Sequence, residues 1–187
     1  MASVQLTEAK RWTYTDYLTL DDDQRYELIE GELLMVAAPD VLHQDLSRDL
    51  EFVMWQYVKE KGLGKVLFAP VDVVLDEENV VQPDIIFIAR EHLGIVHKRG
   101  IMGGPDLVVE ILSPSSIYED RYRKKTLYER FGIPEYWIVD QANRTIEVFV
   151  LGEGGYQLFS FASEKGAITS KVIAGFAVEL CEIMSEE

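Results

Sequence analysis

The segment Ile101–Asp140 constrains the fold most strongly, because it combines two apolar runs with a basic helical stretch between them. The first run, Pro105–Leu112, would be apolar on both faces of a strand apart from Asp106 and Glu110. Burying a carboxylate in a strand is costly unless it is paired or binds a metal. Glu110 therefore predicts either an ion pair to the following helix or one ligand of a metal site.

The length and composition of the chain predict one domain. A chain of 187 residues that is 48% hydrophobic can bury a full core, and no linker, repeat or low-complexity tract divides it. The one cysteine, Cys181, excludes an internal disulfide and a cysteine-based zinc site. No segment approaches the roughly 20 apolar residues that span a bilayer, and no signal peptide is evident. We therefore predict a single α/β domain over residues 1–187, cytoplasmic and without membrane contact.

The charge of the chain opposes a broad electrostatic contact with nucleic acid. The net charge is −15, from 33 acidic and 18 basic residues, whereas phosphates normally meet surfaces rich in lysine and arginine. A local basic patch around a metal site remains compatible with this balance, because the metal brings its own positive charge. The excess of acidic residues is equally consistent with a role in solubility alone.

Hydrophobic periodicity and turn residues predict alternating strands and helices. Tyr26–Val36 has the pattern of a β-hairpin with its turn near Glu30-Gly31, and Asp40 is placed to cap an amphipathic helix over His43–Glu60. The other predicted elements are a short helix within Thr13–Leu20, strands over Lys65–Pro70, Val71–Leu75, Val80–Ala89, Pro105–Leu112 and Glu135–Asp140, a charged connection over Arg90–Gly104 that could hold a short helix, a helix over Ile117–Phe131, a hairpin of Thr145–Val150 and Tyr156–Phe161, and one or two short strands before a frayed acidic end.

Two acidic residues and one lysine form the candidate constellation for chemistry. Pro83 lacks a ladder donor and should begin the paired part of its strand, which places Asp84 at a strand end. Carboxylates on neighbouring strands, here Asp84 and Glu110, can hold Mg²⁺ or Mn²⁺, which would polarise a phosphate and activate water. At about 100° per residue, Lys124 lies on the same helix stripe as Leu127. A lysine there could stabilise developing charge or position water, or could cover the edge of the sheet.

These residues occur in motifs that resemble the Uma-two family, a group of proteins proposed to be endonucleases with a PD-(D/E)XK fold. The matching motifs are Tyr26–Gly31, His43, Gln82-Pro83-Asp84, Val109–Ser115, Lys124 with Tyr128, and Gly132–Asp140. The resemblance extends from about Tyr14 to Phe176. It implies a restriction-endonuclease-like mixed β-sheet flanked by helices, with β-hairpins in the N-terminal and C-terminal parts, and metal ligation by Asp84 and Glu110.

One motif departs from the general nuclease pattern. Such nucleases carry an acid, any residue and a lysine on one strand, whereas this chain reads Glu110-Ile111-Leu112. The resemblance implies that Lys124 on the next helix replaces the strand lysine.

Further site residues follow from the resemblance. His43, Glu30 and Glu51 could each contribute from the N-terminal part, and we favour His43 as a water-positioning residue or general base. Gln82 and Ser113 stand beside the two acids in the sequence and could orient them.

The sequence therefore predicts a Mg²⁺- or Mn²⁺-dependent endonuclease that hydrolyses phosphodiester bonds, with DNA as the substrate. The alternative is a non-catalytic module on a degraded nuclease fold that binds nucleic acid or protein, and a third option is a phosphodiesterase acting on RNA or small substrates. Aromatic residues at Tyr136, Trp137, Phe149 and Phe159 fit a core or the surface of a homodimer. No DNA-reading motif is evident, so the sequence predicts no cleavage specificity.

Overall fold

A computed structural model describes residues 10–184, in which two six-stranded sheets and one two-stranded sheet pack with short and long helices. Residues 1–9, where a signal peptide would begin, and residues 185–187 of the predicted acidic end lie outside this range. In the described part of the chain, no helix is long and apolar enough to cross a membrane.

The elements follow one another in this order. The helices are α1 (Tyr14–Tyr17), α2 (Val41–Lys61), a 3₁₀ helix (Arg90–Ile95), a π-helix (Glu119–Lys124) that continues into α3 (Lys125–Arg130), and α4 (Leu180–Ile183). The strands are β1 (Tyr26–Ile29), β2 (Glu32–Met35), β3 (Gly64–Phe68), β4 (Val73–Asp76), β5 (Asn79–Val81), β6 (Ile85–Ala89), β7 (Val96–His97), β8 (Gly100–Met102), β9 (Leu107–Ile111), β10 (Glu135–Asp140), β11 (Thr145–Gly152), β12 (Gly155–Ser163), β13 (Ala167–Thr169) and β14 (Ala177–Glu179).

The two large sheets are both mixed. The central sheet has the order β12-β11-β10-β9-β6-β3, and only the β9–β10 pair within it is parallel. The second sheet has the order β2-β1-β5-β4-β8-β7, with β4 parallel to β8. The predicted mixed sheet, its flanking helices and both β-hairpins, β1–β2 and β11–β12, are confirmed.

The central sheet is covered on both faces, which explains why its inner strands are almost continuously apolar. On one face, Val109 and Trp137 pack with the apolar stripe of α2, which includes Leu50 and Met54. On the other face, Val108 packs with the second sheet and with the helix that ends at Arg130. Glu110 and Val108 are two residues apart in β9, so both point to this second face.

Two predictions about the middle of the chain were wrong. The run Val80–Ala89 forms two strands in different sheets, because Gln82-Pro83-Asp84 interrupts the ladder where the proline has no N–H to donate. The chain therefore passes from one sheet to the other at this point, and Asp84 lies where the two sheets meet. The connection Arg90–Gly104 contains the 3₁₀ helix, in agreement with the short helix that could lie there, but also the β7–β8 hairpin, whose strands are too short to show periodicity.

The predicted cap of α2 gives a first testable expectation. Asp40 Oδ1 accepts a hydrogen bond of 2.8 Å from His43 N, so Asp40→Ala removes a helix cap and should lower the free energy of unfolding by about 1 kcal/mol. The matched control is Asp45→Ala in the same helix, whose exposed pair with Arg48 contributes little. Urea denaturation measures both, and equal stability of the two variants would contradict a capping role.

Candidate active site

The carboxylate of Glu110 lies at the centre of a buried polar cluster between the two sheets. The residue is only 3% exposed. Glu110 Oε1 accepts a hydrogen bond of 2.6 Å from the Tyr128 hydroxyl and one of 3.1 Å from Lys124 Nζ. The helix after β9 supplies both donors, so the acid that interrupts the apolar strand is paired as its burial requires.

Lys124 contacts three carboxylates from three different elements. Its Nζ lies 2.9 Å from Glu27 Oε1 on β1, 3.1 Å from Glu110 Oε1 and 3.4 Å from Asp120 Oδ1, one turn earlier in the helix. The backbone N–H of Gln82 donates to the same Glu27 oxygen at 2.8 Å. The structure thus brings Lys124 to Glu110 as predicted, and adds Glu27 and Asp120.

The electrostatics of this cluster fix the charge of Lys124. Burial alone would lower the pKa of Lys124, but Glu110, Glu27 and Asp120 outweigh it and raise that pKa well above its ordinary value. The ammonium therefore stays protonated at neutral pH and acts as a cation, not as a base. Burial raises the pKa of Glu110 well above its ordinary value although Lys124 opposes the shift, and burial likewise raises the pKa of Asp120.

Asp84 lies beside this cluster and is tied to the end of β9. Its Oδ2 accepts a hydrogen bond of 2.8 Å from the backbone N–H of Ile111 and lies 3.3 Å from His43 Nε2. His43 Nε2 is also 3.1 Å from the carbonyl oxygen of Ile111. The Asp84 and Glu110 side chains are therefore joined through one peptide unit of β9, as neighbouring strands in the sheet allow.

His43 is positioned by the first turn of α2. Burial lowers the pKa of its imidazole, but the adjacent Asp84 carboxylate outweighs burial and the net shift is upward. Within residues 10–184, His43 Nδ1 is buried and has no hydrogen-bond partner. The ring also lines a cleft of about 530 Å³ together with Leu112 and Ser113, a volume within the range of ligand clefts, roughly 300–1,000 Å³.

The structure does not bring every predicted site residue to this cluster. Glu30 lies in the β1–β2 turn, where its carboxylate forms an exposed pair with Arg130, and the acid that β1 brings to the cluster is Glu27. The side chain of Gln82 points away and contacts Arg25, Tyr17 and Asp72. Ser113 contacts Ser115 and Ser116 in the following turn. Glu51 is half-buried on α2 and forms no hydrogen bond or ion pair with the cluster.

Three members of the cluster were given no role by the sequence reasoning, although each carries a local signal. Asp120 precedes Lys124 by four residues, so the helix geometry that selects Lys124 also places Asp120 on the same face. Tyr128 lies four residues after Lys124 on that stripe. Glu27 lies two residues before the buried Ile29 in β1, so both side chains point to the same face of the strand. This face is turned toward the space between the sheets.

Leu112, directly after β9, occupies the position of the strand lysine of the general nuclease pattern. Its side chain is 8% exposed and packs in the core between the sheets, on the face that Glu110 shares. The cation at the site is Lys124, which reaches Glu110 from a π-helical turn. Such turns are rare and occur frequently at functional sites.

The donor set fits a hydrated divalent cation. Asp84 forms its contacts through Oδ2 and Glu110 through Oε1, so Asp84 Oδ1 and Glu110 Oε2 have no hydrogen-bond partner within residues 10–184. In the same residues no group of three or more His, Cys, Asp or Glu side chains is spaced as a metal cage. Mg²⁺ suits such a site, because it uses one or two carboxylates and keeps several waters.

Comparisons with known proteins agree with this architecture. Residues 14–181 match the Uma2 family, described as "Putative restriction endonuclease". The chain is similar to an uncharacterised protein, sll1609, of Synechocystis sp., with 23% identity over 132 residues, which are 69% of this chain and 75% of that protein. It is also similar to a protein from Anabaena variabilis whose crystal structure is described as that of "a putative nuclease belonging to DUF820". The TM-score is 0.77 and the identity 17%, over 92% of this chain and 97% of that one. The fold is thus restriction-endonuclease-like, and because the family match covers most of its length, the chain belongs to the Uma2 (Uma-two) family.

Proposed function

We propose that this protein is a metal-dependent endonuclease that hydrolyses phosphodiester bonds, with DNA as its substrate. The observation that carries the proposal is the excess of carboxyl groups over cations at the site. The carboxylates of Glu27, Glu110 and Asp120 surround one buried ammonium, that of Lys124, and Asp84 lies beside them at the end of β9. Uncompensated buried charge is strongly unfavourable, so a cluster of this composition is suited to a divalent cation.

Asp84 and Glu110 would hold Mg²⁺ or Mn²⁺ through the oxygens that have no described partner. When bound, the metal supplies polarisation of the phosphate and a lower pKa of water. Lys124 stays cationic and places positive charge beside Glu110, where it stabilises the charge that develops on the phosphate. His43 Nε2 is held by Asp84 and by the Ile111 carbonyl, so Nδ1 is the atom left to hold a proton or a water.

Cleavage of DNA tests the proposal directly. Purified protein should convert supercoiled plasmid and linear DNA to shorter products with Mg²⁺ or Mn²⁺ and not with EDTA. Asp84→Asn keeps the size of the side chain and weakens the metal ligand, so the cleavage rate should fall by at least about tenfold. The matched control is Asp23→Asn, which changes an exposed acid in a loop and should cleave at the wild-type rate.

Two results would contradict the proposal that this protein is an endonuclease. Cleavage that survives Asp84→Asn unchanged belongs to a contaminant or to another site. A protein that binds no Mn²⁺ at millimolar concentration in isothermal titration calorimetry, yet still retains DNA on a gel, is the non-catalytic binding module on a degraded nuclease fold.

We also propose a cytoplasmic homodimer. Tyr136 and Trp137 are fully buried in the core, so the predicted aromatic dimer surface reduces to Phe149 and Phe159. Phe159 lies 48% exposed on β12, at the free edge of the central sheet. A two-fold contact there would present two sites to the two strands of a duplex.

A further inference from the structure

Five basic side chains gather along one edge of the molecule, although acidic residues outnumber basic ones 33 to 18 in the whole chain. Lys59, Lys65 and Arg90 line one cleft, whose described lining holds no acidic side chain. Lys65, Lys98 and Arg99 line a second cleft. Because Lys65 belongs to both clefts, these five residues form one continuous surface, which we call the basic strip.

The cations of the basic strip are not paired with acidic side chains in the part of the chain that the structure describes. Within residues 10–184, none of its five side chains forms an ion pair, whereas other exposed cations do, such as Arg11 with Glu78 and Arg130 with Glu30. Asp72 also lines the second cleft, but its carboxylate accepts hydrogen bonds from Tyr17 and Gln82. The strip therefore presents unpaired positive charge in a protein of net charge −15, which suits a polyanionic partner.

Exposed aromatic rings adjoin one end of the basic strip. Phe52 and Trp55 lie on the solvent face of α2, 54% and 39% exposed, with their ring centres 6.5 Å apart. Trp55 lines the first cleft, and Lys59 Nζ lies 4.3 Å from the centre of its ring. An aromatic ring beside a row of cations is the arrangement by which proteins bind single-stranded nucleic acid, because bases stack on the ring while cations meet phosphates.

We propose that the basic strip binds single-stranded nucleic acid, with its cations on the phosphates and Trp55 stacked on a base. The inference rests on the proposed function, since the bound strand would be part of the substrate. The second cleft reaches Gln82, whose backbone N–H is bonded to Glu27 of the candidate active site. A strand lying along the basic strip therefore leads toward the carboxylate cluster.

Binding of a fluorescein-labelled single-stranded DNA oligonucleotide tests the strip, measured by fluorescence anisotropy in EDTA so that no cleavage occurs. The double variant K65Q/R90Q should bind about tenfold more weakly at low salt. The slope of log K against log salt should become less steep by about 0.7 for each phosphate contact removed. For the two contacts of this variant, the change is about 1.4. The control K165Q/K171Q removes two exposed lysines elsewhere, with the same change of net charge, and should bind like the wild type.

Trp55→Ala tests stacking independently of charge. It should weaken single-strand binding about tenfold and leave the salt slope unchanged. A duplex of the same sequence should bind more weakly than the single strand and should not depend on Trp55. Thermal unfolding of each variant verifies that these surface substitutions leave the fold intact.

Equal weakening by both double variants, or wild-type binding by K65Q/R90Q, would overturn the proposed strip. Tighter binding of the duplex with no effect of Trp55→Ala would overturn the single-strand assignment. Since these measurements need no metal and no turnover, they can fail while plasmid cleavage succeeds, and they can succeed while cleavage fails.

Discussion

Replacing Lys124 with methionine should lower the free energy of unfolding at pH 7 by about 3–5 kcal/mol, the range measured when one partner of a buried ion pair is removed. The methionine side chain has a similar length but no charge. Glu27, Glu110 and Asp120 would then face one another without a cation, at 2.9, 3.1 and 3.4 Å from the position that Nζ now holds. Chemical denaturation measures the change.

Lys125→Met is the matched control for this variant. Lys125 is the next residue in the chain, lies over the ring of Phe149 at 3.3 Å, and has a pKa that burial lowers. Removing its charge should change stability by less than about 1 kcal/mol. Millimolar Mn²⁺ should restore part of the stability of Lys124→Met, because a divalent cation can neutralise the same carboxylates. Equal loss in both variants would mean that Lys124 is only a packing residue.

Sequence reasoning located the principal residues of this site because each carries a local signal. Pro83 cannot donate a hydrogen bond within a sheet, which places Asp84 at the end of a strand. Glu110 interrupts an apolar strand, and Lys124 lies on the same helix stripe as Leu127. These signals depend on neighbours within one turn or one strand, so the periodicity of 2.0 or 3.6 residues reveals them. The structure places Glu110 and Lys124 in contact, with Asp84 one peptide unit away.

The remainder could not be predicted because it depends on the packing of two sheets. Glu27 meets Lys124 across about a hundred residues of sequence, and no periodicity within β1 indicates which helix it will face. The run Val80–Val81 and the run Ile85–Ala89 look alike, yet they belong to different sheets. The hairpin β7–β8 escapes detection because strands of two and three residues are too short for the two-residue alternation to repeat.

A buried carboxylate can serve the fold or the chemistry, and two glutamates of this protein separate the two roles. Glu135 on β10 is fully buried and uses both oxygens. Its Oε1 accepts from Trp137 Nε1 and Ser170 Oγ, both at 2.7 Å, and its Oε2 accepts from two backbone N–H groups, those of Lys171 and Val172. Glu110 on the adjacent strand uses Oε1 alone.

The substitution Glu110→Gln should therefore remove activity and preserve the fold. The amide oxygen of glutamine can still accept from Tyr128 and Lys124, while the neutral group no longer binds the metal, so DNA cleavage should fall by at least about a hundredfold. Because burial raises the pKa of Glu110, the folded state favours its neutral form, and the metal-free variant should be as stable as the wild type or more stable. This advantage should vanish as the pH falls below 4.5, the ordinary pKa, because Glu110 is then neutral in both states.

Glu135→Gln should show the opposite pattern. In the wild type, both oxygens of Glu135 accept hydrogen bonds. In either orientation of the glutamine amide, its NH₂ group would replace one of these oxygens and face donors, so the free energy of unfolding should fall by about 2–4 kcal/mol. At a temperature where the variant is still folded, its DNA cleavage should remain near the wild-type rate. Thermal unfolding and plasmid cleavage, measured on the same two preparations, decide between the roles. If Glu110→Gln were instead the destabilised variant and kept its activity, Glu110 would be a structural partner of Lys124, and the metal would have to be sought elsewhere.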